Sequence, residues 1–463
     1  LESLKMSMSD FTEEEIKPCL ELNPKTNEVI SVNHHSLAMK ILEHLPMVTV
    51  VETGEIYTYI RGHYVPNGLE IIHKVLVTIL APWHKQNGQT AYNSNVLKEV
   101  VGIIKGLTYN EDKVFDSRIE IINCLNGLLN WQTGEFIEHT PEYYSRIQLN
   151  VNYDPDATCP IILGVFDKIL RKEDFQKALE FIAYCLYREY PIQKAFILLG
   201  PGGTGKSHFI DIIRAMLSDE NVSSVSMHDL EEDRFASSDL HNKLLNENGD
   251  LAQHTLPNVN VLKMLTSNKD TIRAQRKGER AFDFVNFAKI IFAANKLARV
   301  KDDTSGFYRR IEILPFEHIF SEQEKADGVN ILEQVTNPKE LSGLLNIVLP
   351  YLEPLLERGR FSNSFEVATA KDQYKKQSDP INTFVELHIK EVADECVAKE
   401  RIYHEYRKFC VLNHIDPLHV VPFGKALKAC IPWYCSGIRD FGGCRHTALL
   451  NTMLIPVSDA VLV

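Results

Sequence analysis

Between Ala195 and Phe316 short apolar runs alternate with segments whose apolar residues recur at helical spacing. The runs Ala195–Leu199, Val222–Ser226, Lys243–Asn246, Ala288–Ala294 and Arg310–Leu314 predict strands, and the segments between them predict helices. That alternation specifies a parallel sheet with helices packed on both faces. Upstream, Glu55–Arg61 alternates as a strand and Gly68–Trp83 carries apolar residues at helical spacing, and nothing catalytic stands out there. From Val114 to Tyr190 strand-like pieces and a turn-rich segment, Asn152–Ala157, lead into a helical pattern over Phe175–Tyr187. Helical patterns resume from Ser321 to Thr369, and Gln377-Ser378-Asp379-Pro380 marks a break. Beyond it come helix, helix and short strands around Trp433–Arg439 and Arg445–Leu450, the order of a winged helix.

Composition narrows the class without choosing a function. At 463 residues the chain exceeds one ordinary core, so several domains are expected. Nine cysteines lie scattered, and neither a signal peptide nor an uncharged run of membrane-spanning length is present. The reading is therefore a reducing interior compartment, the cytoplasm, with no membrane partner and no disulfides. A net charge of −12 argues against a surface coated for nucleic acid, although a ring-shaped motor needs basic residues only where the strand passes. The opening Leu1 and the polar stretch to Glu15 read as a piece of a longer polypeptide, or one bearing a scar.

The strongest chemical signal is Gly200-Pro201-Gly202-Gly203-Thr204-Gly205-Lys206-Ser207, entered from an apolar strand and left through a helical pattern. Glycines let successive backbone N–H groups turn toward phosphates, and the helix presents its positive end. Lys206 reaches the β and γ phosphates and Ser207 is placed to ligate Mg²⁺, which makes ATP with Mg²⁺ the expected cofactor pair. Such a loop could serve a kinase, a GTPase, a transporter or a motor, and the next motifs separate them. Leu244–Asp250 is an apolar strand ending in acids; Asp250 is the first choice for holding Mg²⁺ and orienting water, and Glu247 the second. Asn295 ends the next apolar strand, where an amide can bond the γ-phosphate or the lytic water without adding charge. Arg309 and Arg310 follow a flexible Asp302–Gly306 loop; one would reach a neighbouring subunit's phosphate and the other be structural, and the sequence does not choose.

Between the acidic strand and Asn295, Thr271–Phe284 reads as a β-hairpin around Lys277-Gly278, with Arg273, Arg276, Lys277 and Arg280 near its tip. Contact with phosphates from such a tip is independent of sequence, as a translocating element requires, and a merely solvated hairpin has the same pattern. Cys430, Cys435, Cys444 and His446 match no common zinc frame and read as packed residues of the winged segment.

In this order and spacing the motifs resemble the superfamily 3 helicases, and specifically the helicase part of the phage, plasmid and poxvirus-type primase-helicases. The resemblance spans residues 114–450. It takes in Leu125-Asn126-Gly127, Thr133-Gly134, His139-Thr140-Pro141, Gln148-Leu149 and Tyr153–Pro160 ahead of the loop. It continues through Asn246–Leu251, Lys263–Thr266 with Asp270 and Lys277, Ile290–Asn295 and Arg309–Phe316. Tyr403–Cys410 and Phe423–Leu427 are similar to the family's terminal region. Two departures stand out: Ser267-Asn268-Lys269 replaces glycines before the Asp, and Gly278 occupies a position where an aromatic is common.

The resemblance implies an α/β fold with an AAA+-type parallel-sheet ATPase core, a mainly helical N-terminal collar and a C-terminal winged-helix domain. The expected division is 1–113 as an α/β region of uncertain role, 114–190 as collar, 191–320 as core, 321–375 as a helical lid or linker, and 376–463 as a winged-helix-like DNA-binding domain. It further implies a homo-oligomeric, hexameric ATPase that moves 3′ to 5′ on single-stranded and forked DNA during replication of a virus, phage or plasmid-like element. No primase site is evident, so a primase is expected in cis, on a removed part, or in trans. The alternative from another class is an ATP-switched replication initiator or loader with little unwinding; the basic hairpin favours the motor, and the hairpin and winged tail disfavour a small-molecule kinase.

Overall fold

The computed structural model describes residues 11–248, 259–278, 281–295, 297, 305–321, 331–363, 379–413, 415–442 and 444–457. Near its start β1 (Leu20–Leu22) and β2 (Val29–Val32) pair antiparallel. Helices α1 (His34–His44), α2 (Gly68–Leu80) and α3 (Ser94–Thr108) then bury Leu37, Ile41, Ile72, Val75, Val100 and Ile104 in one core. Asn33 and Asn93 side chains accept backbone N–H bonds at the starts of α1 and α3, which fixes where each begins. β3 (Met47–Val50), β4 (Ile56–Ile60), β5 (His63–Val65) and β6 (Tyr109–Asn110) form a sheet ordered β5-β4-β3-β6. The two-residue turn joining β4 to β5, Arg61-Gly62, has φ of 51° and 88°, the left-handed pair that a tight hairpin of matching twist demands.

That turn is gripped by the next segment. β7 (Ile121–Cys124), β8 (Gly127–Asn130) and β9 (Phe136–Ile137) form an antiparallel sheet, followed by α4 (Pro160–Ile169) and α5 (Phe175–Cys185). Asn123 Nδ2 donates to Gly62 O at 2.8 Å, and Gln148 Nε2 donates to Arg61 O at 3.0 Å. His139 Nε2 lies 3.0 Å from Asn123 Oδ1 and 2.8 Å from Cys124 O. His139 and Gln148, prominent in the family resemblance, thus secure a backbone turn; Asn126 likewise bonds Tyr153 N and O through its side chain.

The central sheet is ordered β11-β12-β15-β10-β16, every neighbouring pair parallel. Its strands are β10 (Ala195–Leu199), β11 (Val222–Ser223), β12 (Leu245–Asn248), β15 (Lys289–Ala294) and β16 (Ile311–Pro315). All five runs expected from the sequence are strands; β11 is shorter than its run because Ser224 and Val225 leave the ladder for a helix cap at Ser226. Alternate residues feed two cores. Phe196, Leu198, Ile291 and Leu314 face α5, α6 (Lys206–Leu217) and α8 (Pro338–Val348), while Ala195, Ile197, Ile290 and Phe292 face α7 (Val259–Leu265) and the hairpin β13 (Thr271–Ala274) and β14 (Phe282–Val285). Fully buried Phe196 packs against Phe181 of α5 with ring centres 4.2 Å apart and the rings tilted, a burial of the kind that contributes about 1.5–3 kcal/mol per aromatic.

The last segment runs α9 (Pro380–His388), β17 (Ile389–Ala398), α10 (Lys399–Leu412), α11 (Val420–Cys430), β18 (Ser436–Phe441) and β19 (Cys444–Leu454), with sheet order β17-β19-β18. Strand β17 was not legible in the sequence: its middle is acidic and exposed, and its register with β19 breaks between Glu391 and Cys396. Among the described residues no helix is long and apolar enough to cross a membrane.

Candidate functional site

Two close approaches explain the glycines of the loop that joins β10 to α6. A Cβ on Gly200 would sit 2.0 Å from Phe316 O, and one on Gly205 2.6 Å from Ile169 Cγ2; Gly205 also has φ of 89°. Phe316 N donates to Leu199 O at 2.7 Å and Gly200 N to Ala294 O at 3.1 Å, so the loop springs from between β15 and β16. Thr204, buried, turns its Oγ1 back to Pro201 O at 2.9 Å, whereas Gly202, Gly203 and Ser207 lie exposed along the loop.

The start of α6 differs from those of α1, α3, α8 and α9, which carry Asn or Asp caps: it has neither a side-chain cap nor an acid in its first turn. Its first N–H groups and helix dipole are thus left to an external acceptor. Beside them Lys206 Nζ, largely buried, donates to Gly200 O at 2.5 Å, Pro201 O at 2.7 Å and Asn295 Oδ1 at 3.3 Å. Burial lowers its pKa, and among the described residues no carboxylate pairs with it. A desolvated ammonium beside an uncapped helix start fits a phosphate-bearing ligand, and the exposed Ser207 hydroxyl fits a phosphate-bound cation.

The other expected residues divide. Asn295, directly after β15, accepts from Lys206 Nζ, which places its amide beside the loop. Glu247 stands opposite Ile291 in the ladder; its Oε1 accepts from Arg214 Nη1 at 2.8 Å and from Ser224 Oγ at 3.0 Å. Both bonds fall on one oxygen of the carboxylate and tie it to α6 and to the residue after β11. Asp250 lies outside the described residues. The two arginines separate sharply: Arg309 is exposed, while Arg310 is 6% exposed, its Nε bonding Thr266 Oγ1 and its Nη2 bonding Gln193 Oε1, each at 3.2 Å.

The hairpin β13–β14 pairs Thr271 with Val285 through Ala274 with Phe282, and Gly278 near the tip has φ of 85°. Arg273 and Lys277 are exposed and Arg280 lies outside the described residues. Arg276 differs from these exposed neighbours: it is half-buried, and its Nη1 sits 3.3 Å from Glu55 Oε2. The departures from the family pattern also acquire partners, since Ser267 Oγ accepts from Asp270 N at 3.2 Å and Asn268 Oδ1 from Tyr190 N at 2.8 Å.

Sequence reasoning missed Lys289, which opens β15 fully buried. Its Nζ donates to Tyr187 O at 2.6 Å, Phe287 O at 2.8 Å and Glu189 O at 2.9 Å, and lies 4.3 Å from the Tyr184 ring centre. A lone lysine at the head of an otherwise apolar strand was the available signal.

Fold and site define an α/β protein with a glycine-rich strand–loop–helix in a five-stranded parallel sheet. Two family descriptions match the chain: "D5 N terminal like" over residues 43–172, and "Family of unknown function (DUF5906)" over 198–310, which takes in the whole loop, the hairpin and both arginines. A protein of Acanthamoeba polyphaga mimivirus named "Putative helicase" is 24% identical over 328 residues, 65% of this chain and 33% of that one. Another so named, from Invertebrate iridescent virus 6, is 24% identical over 278 residues, 56% of this chain and 28% of that one. The chain spans about a third of the length of these curated relatives. The solved C-terminal region of NrS-1 superposes with a TM-score of 0.43 at 13% identity, over 89% of this chain and 98% of that one. The resemblance to phage- and virus-type primase-helicases holds; superfamily 3 is not among the names these proteins carry.

Proposed function

We propose that this chain is the ATPase and helicase part of a phage- or virus-type primase-helicase: an ATP-driven superfamily 3 DNA helicase that assembles as a hexameric ring and translocates 3′ to 5′ on single-stranded DNA inside the host cell. The observation that carries the reading is Lys206, desolvated and held between its own loop and Asn295 at the uncapped start of α6. The sheet order supports an AAA+-type core, because β15 with Asn295 lies between the loop strand β10 and the acid-bearing β12. The order of elements from α9 to β19 supports a winged-helix domain. Bound ATP with Mg²⁺ supplies the phosphoanhydride whose hydrolysis drives the motor. Lys206 and the loop N–H groups bind its phosphates, Ser207 and Asp250 hold the cation, Asn295 senses the γ-phosphate, and exposed Arg309 reaches the neighbouring subunit's phosphates. Arg273, Lys277 and Arg280 touch the strand's backbone without reading its sequence.

The test is ATP turnover with and without single-stranded DNA. Wild-type turnover rises with DNA, and folded Lys206→Ala has none. Turnover in Lys206→Ala overturns the ATP site, and a wild-type rate indifferent to DNA overturns the motor in favour of an ATP-switched initiator.

A further inference from the structure

Arg276 and Lys277 are neighbours on the hairpin, yet only Lys277 is fully exposed. Arg276 is turned instead toward the N-terminal sheet, its guanidinium 5.7 Å from the Phe282 ring centre and 3.3 Å from Glu55 Oε2. The same Glu55 oxygen accepts from Tyr57 Oη at 3.1 Å. The contact is one link of a closed circuit. Phe282 and Phe284 of the hairpin pack edge-on to His241 at 4.9 and 5.2 Å, and His241 Nε2 lies 3.7 Å from Asp112 Oδ2. Asp112 Oδ1 takes Arg146 Nη1 at 2.6 Å, and Arg146 lies 4.5 Å from the Phe115 ring centre and 5.7 Å from that of Tyr57, which leads back to Glu55. The two halves of this circuit differ in strength. Arg146 is 8% exposed and doubly paired, with Asp116 as well as Asp112, whereas Arg276 and Glu55 are 33% and 29% exposed. Half-exposed ion pairs are weak and screened by salt, so this link can be exchanged for another anion at little cost.

We propose that Glu55 is a positioning residue that stands in for a nucleic-acid phosphate: it holds Arg276 against the N-terminal sheet in the unbound protein and yields it to the strand's backbone on binding. The proposal rests on the reading of the hairpin as the strand contact, and it adds an internal competitor to that contact. Glu55 and a backbone phosphate are alike in what Arg276 needs, an anionic oxygen within hydrogen-bonding reach. Exposed Lys277, adjacent in the chain, makes the first contact, and Arg276 follows by exchanging partners.

The experiment measures binding of the full chain to a fluorescent oligothymidylate across a salt series, for wild type, Glu55→Gln, Arg276→Ala, Lys277→Ala and Glu55→Gln/Arg276→Ala. Gln keeps an acceptor for Tyr57 while removing the charge. Glu55→Gln should bind about 2- to 5-fold more tightly at low salt, five-fold corresponding to the ~1 kcal/mol of a surface ion pair, with the gain fading as salt rises. In the Arg276→Ala background the same change should do nothing. An equal gain in both backgrounds would mean that Glu55 repels DNA through its charge alone and overturns the exchange; so would no gain at all while Arg276→Ala and Lys277→Ala weaken binding. If neither hairpin change alters binding, the hairpin reading itself fails and takes the exchange with it.

Discussion

Replacing Arg309 and Arg310 one at a time should produce opposite outcomes, although the residues are adjacent. Arg310 is buried, and its bonds to Thr266 and Gln193 are charge-assisted. At about 1.5 kcal/mol each, Arg310→Ala loses ~3 kcal/mol of stability, a fall of about 6–12 °C in Tm for a cooperative unit of ordinary domain size. Arg309 is exposed, so Arg309→Ala should shift stability by no more than about 0.5 kcal/mol. Its cost falls on turnover, where an arginine acting on a transferred phosphoryl group is worth ~10³-fold or more, and Arg309→Lys should recover little because an ammonium lacks the planar fork. The assay pairs thermal unfolding with ATP turnover, each normalised to the amount of folded protein. Mixing Arg309→Ala with Lys206→Ala subunits should restore part of the activity, since some interfaces then join an intact loop to an intact arginine. Wild-type turnover in Arg309→Ala, or an unchanged Tm in Arg310→Ala, would refute the assignment; no recovery at any mixing ratio would place the arginine's action within its own subunit.

Two further outcomes follow from buried charges. Lys289→Met keeps the volume but strips three carbonyls of their donor, and should destabilise the protein by about 3 kcal/mol in urea unfolding; an unchanged midpoint would show that the cost of burying the amine, whose pKa burial lowers to about 7, cancels its bonds. Burial opposes ionisation of Asp112, but His241 and the Arg146 guanidinium outweigh it and hold the carboxyl well below the usual range. Because the folded value is depressed, the stabilisation is complete above about pH 4 and is lost as the pH falls from there toward the folded value, so the stability gap between wild type and Asp112→Asn should shrink only on acidification; a gap that narrows instead toward neutral pH would refute the pairing.

The sheet and loop were legible because β10 and β15 are nearly pure apolar runs and the loop's glycines sit at fixed places between strand and helix. The hairpin was legible for the same reason, through alternation around Lys277-Gly278. What remained hidden depended on contacts distant in sequence. Nothing near Arg309 or Arg310 distinguishes them, because Arg310's burial is decided by Thr266 and Gln193. Arg276 looked like its basic neighbours because Glu55 lies 221 positions away. Glu247 stood out as a strand-end acid, but its pairing with Arg214 of α6 could not be read from the sequence because the two lie on separate elements. His139 and Gln148 were visible as motif residues, but their work, holding a turn at Arg61-Gly62, required the N-terminal sheet to be seen beside them.

The hairpin's attachment limits which of its parts can respond to DNA or to the loop. It is inserted in the chain between β12 and β15, and its base is fixed from several sides. Ile272, Ala274 and Phe284 are buried in the core beneath the sheet. Asn286 Nδ2 donates to Leu265 O at 2.7 Å and to Ala288 O at 3.1 Å, clamping the end of α7 to the entry of β15. Thr266, directly after α7, accepts the bond from Arg310, and Lys289 ties the head of β15 to the carbonyls just beyond α5. Close-packed and hydrogen-bonded groups of this kind do not deform continuously, so a shift of β15 or α7 is expected to carry the base as a unit rather than bend it. The half-exposed Arg276–Glu55 pair is far weaker than this base. On the proposed function, a moving hairpin would therefore keep its base and trade its tip contacts, and nucleic acid would compete there with the N-terminal sheet.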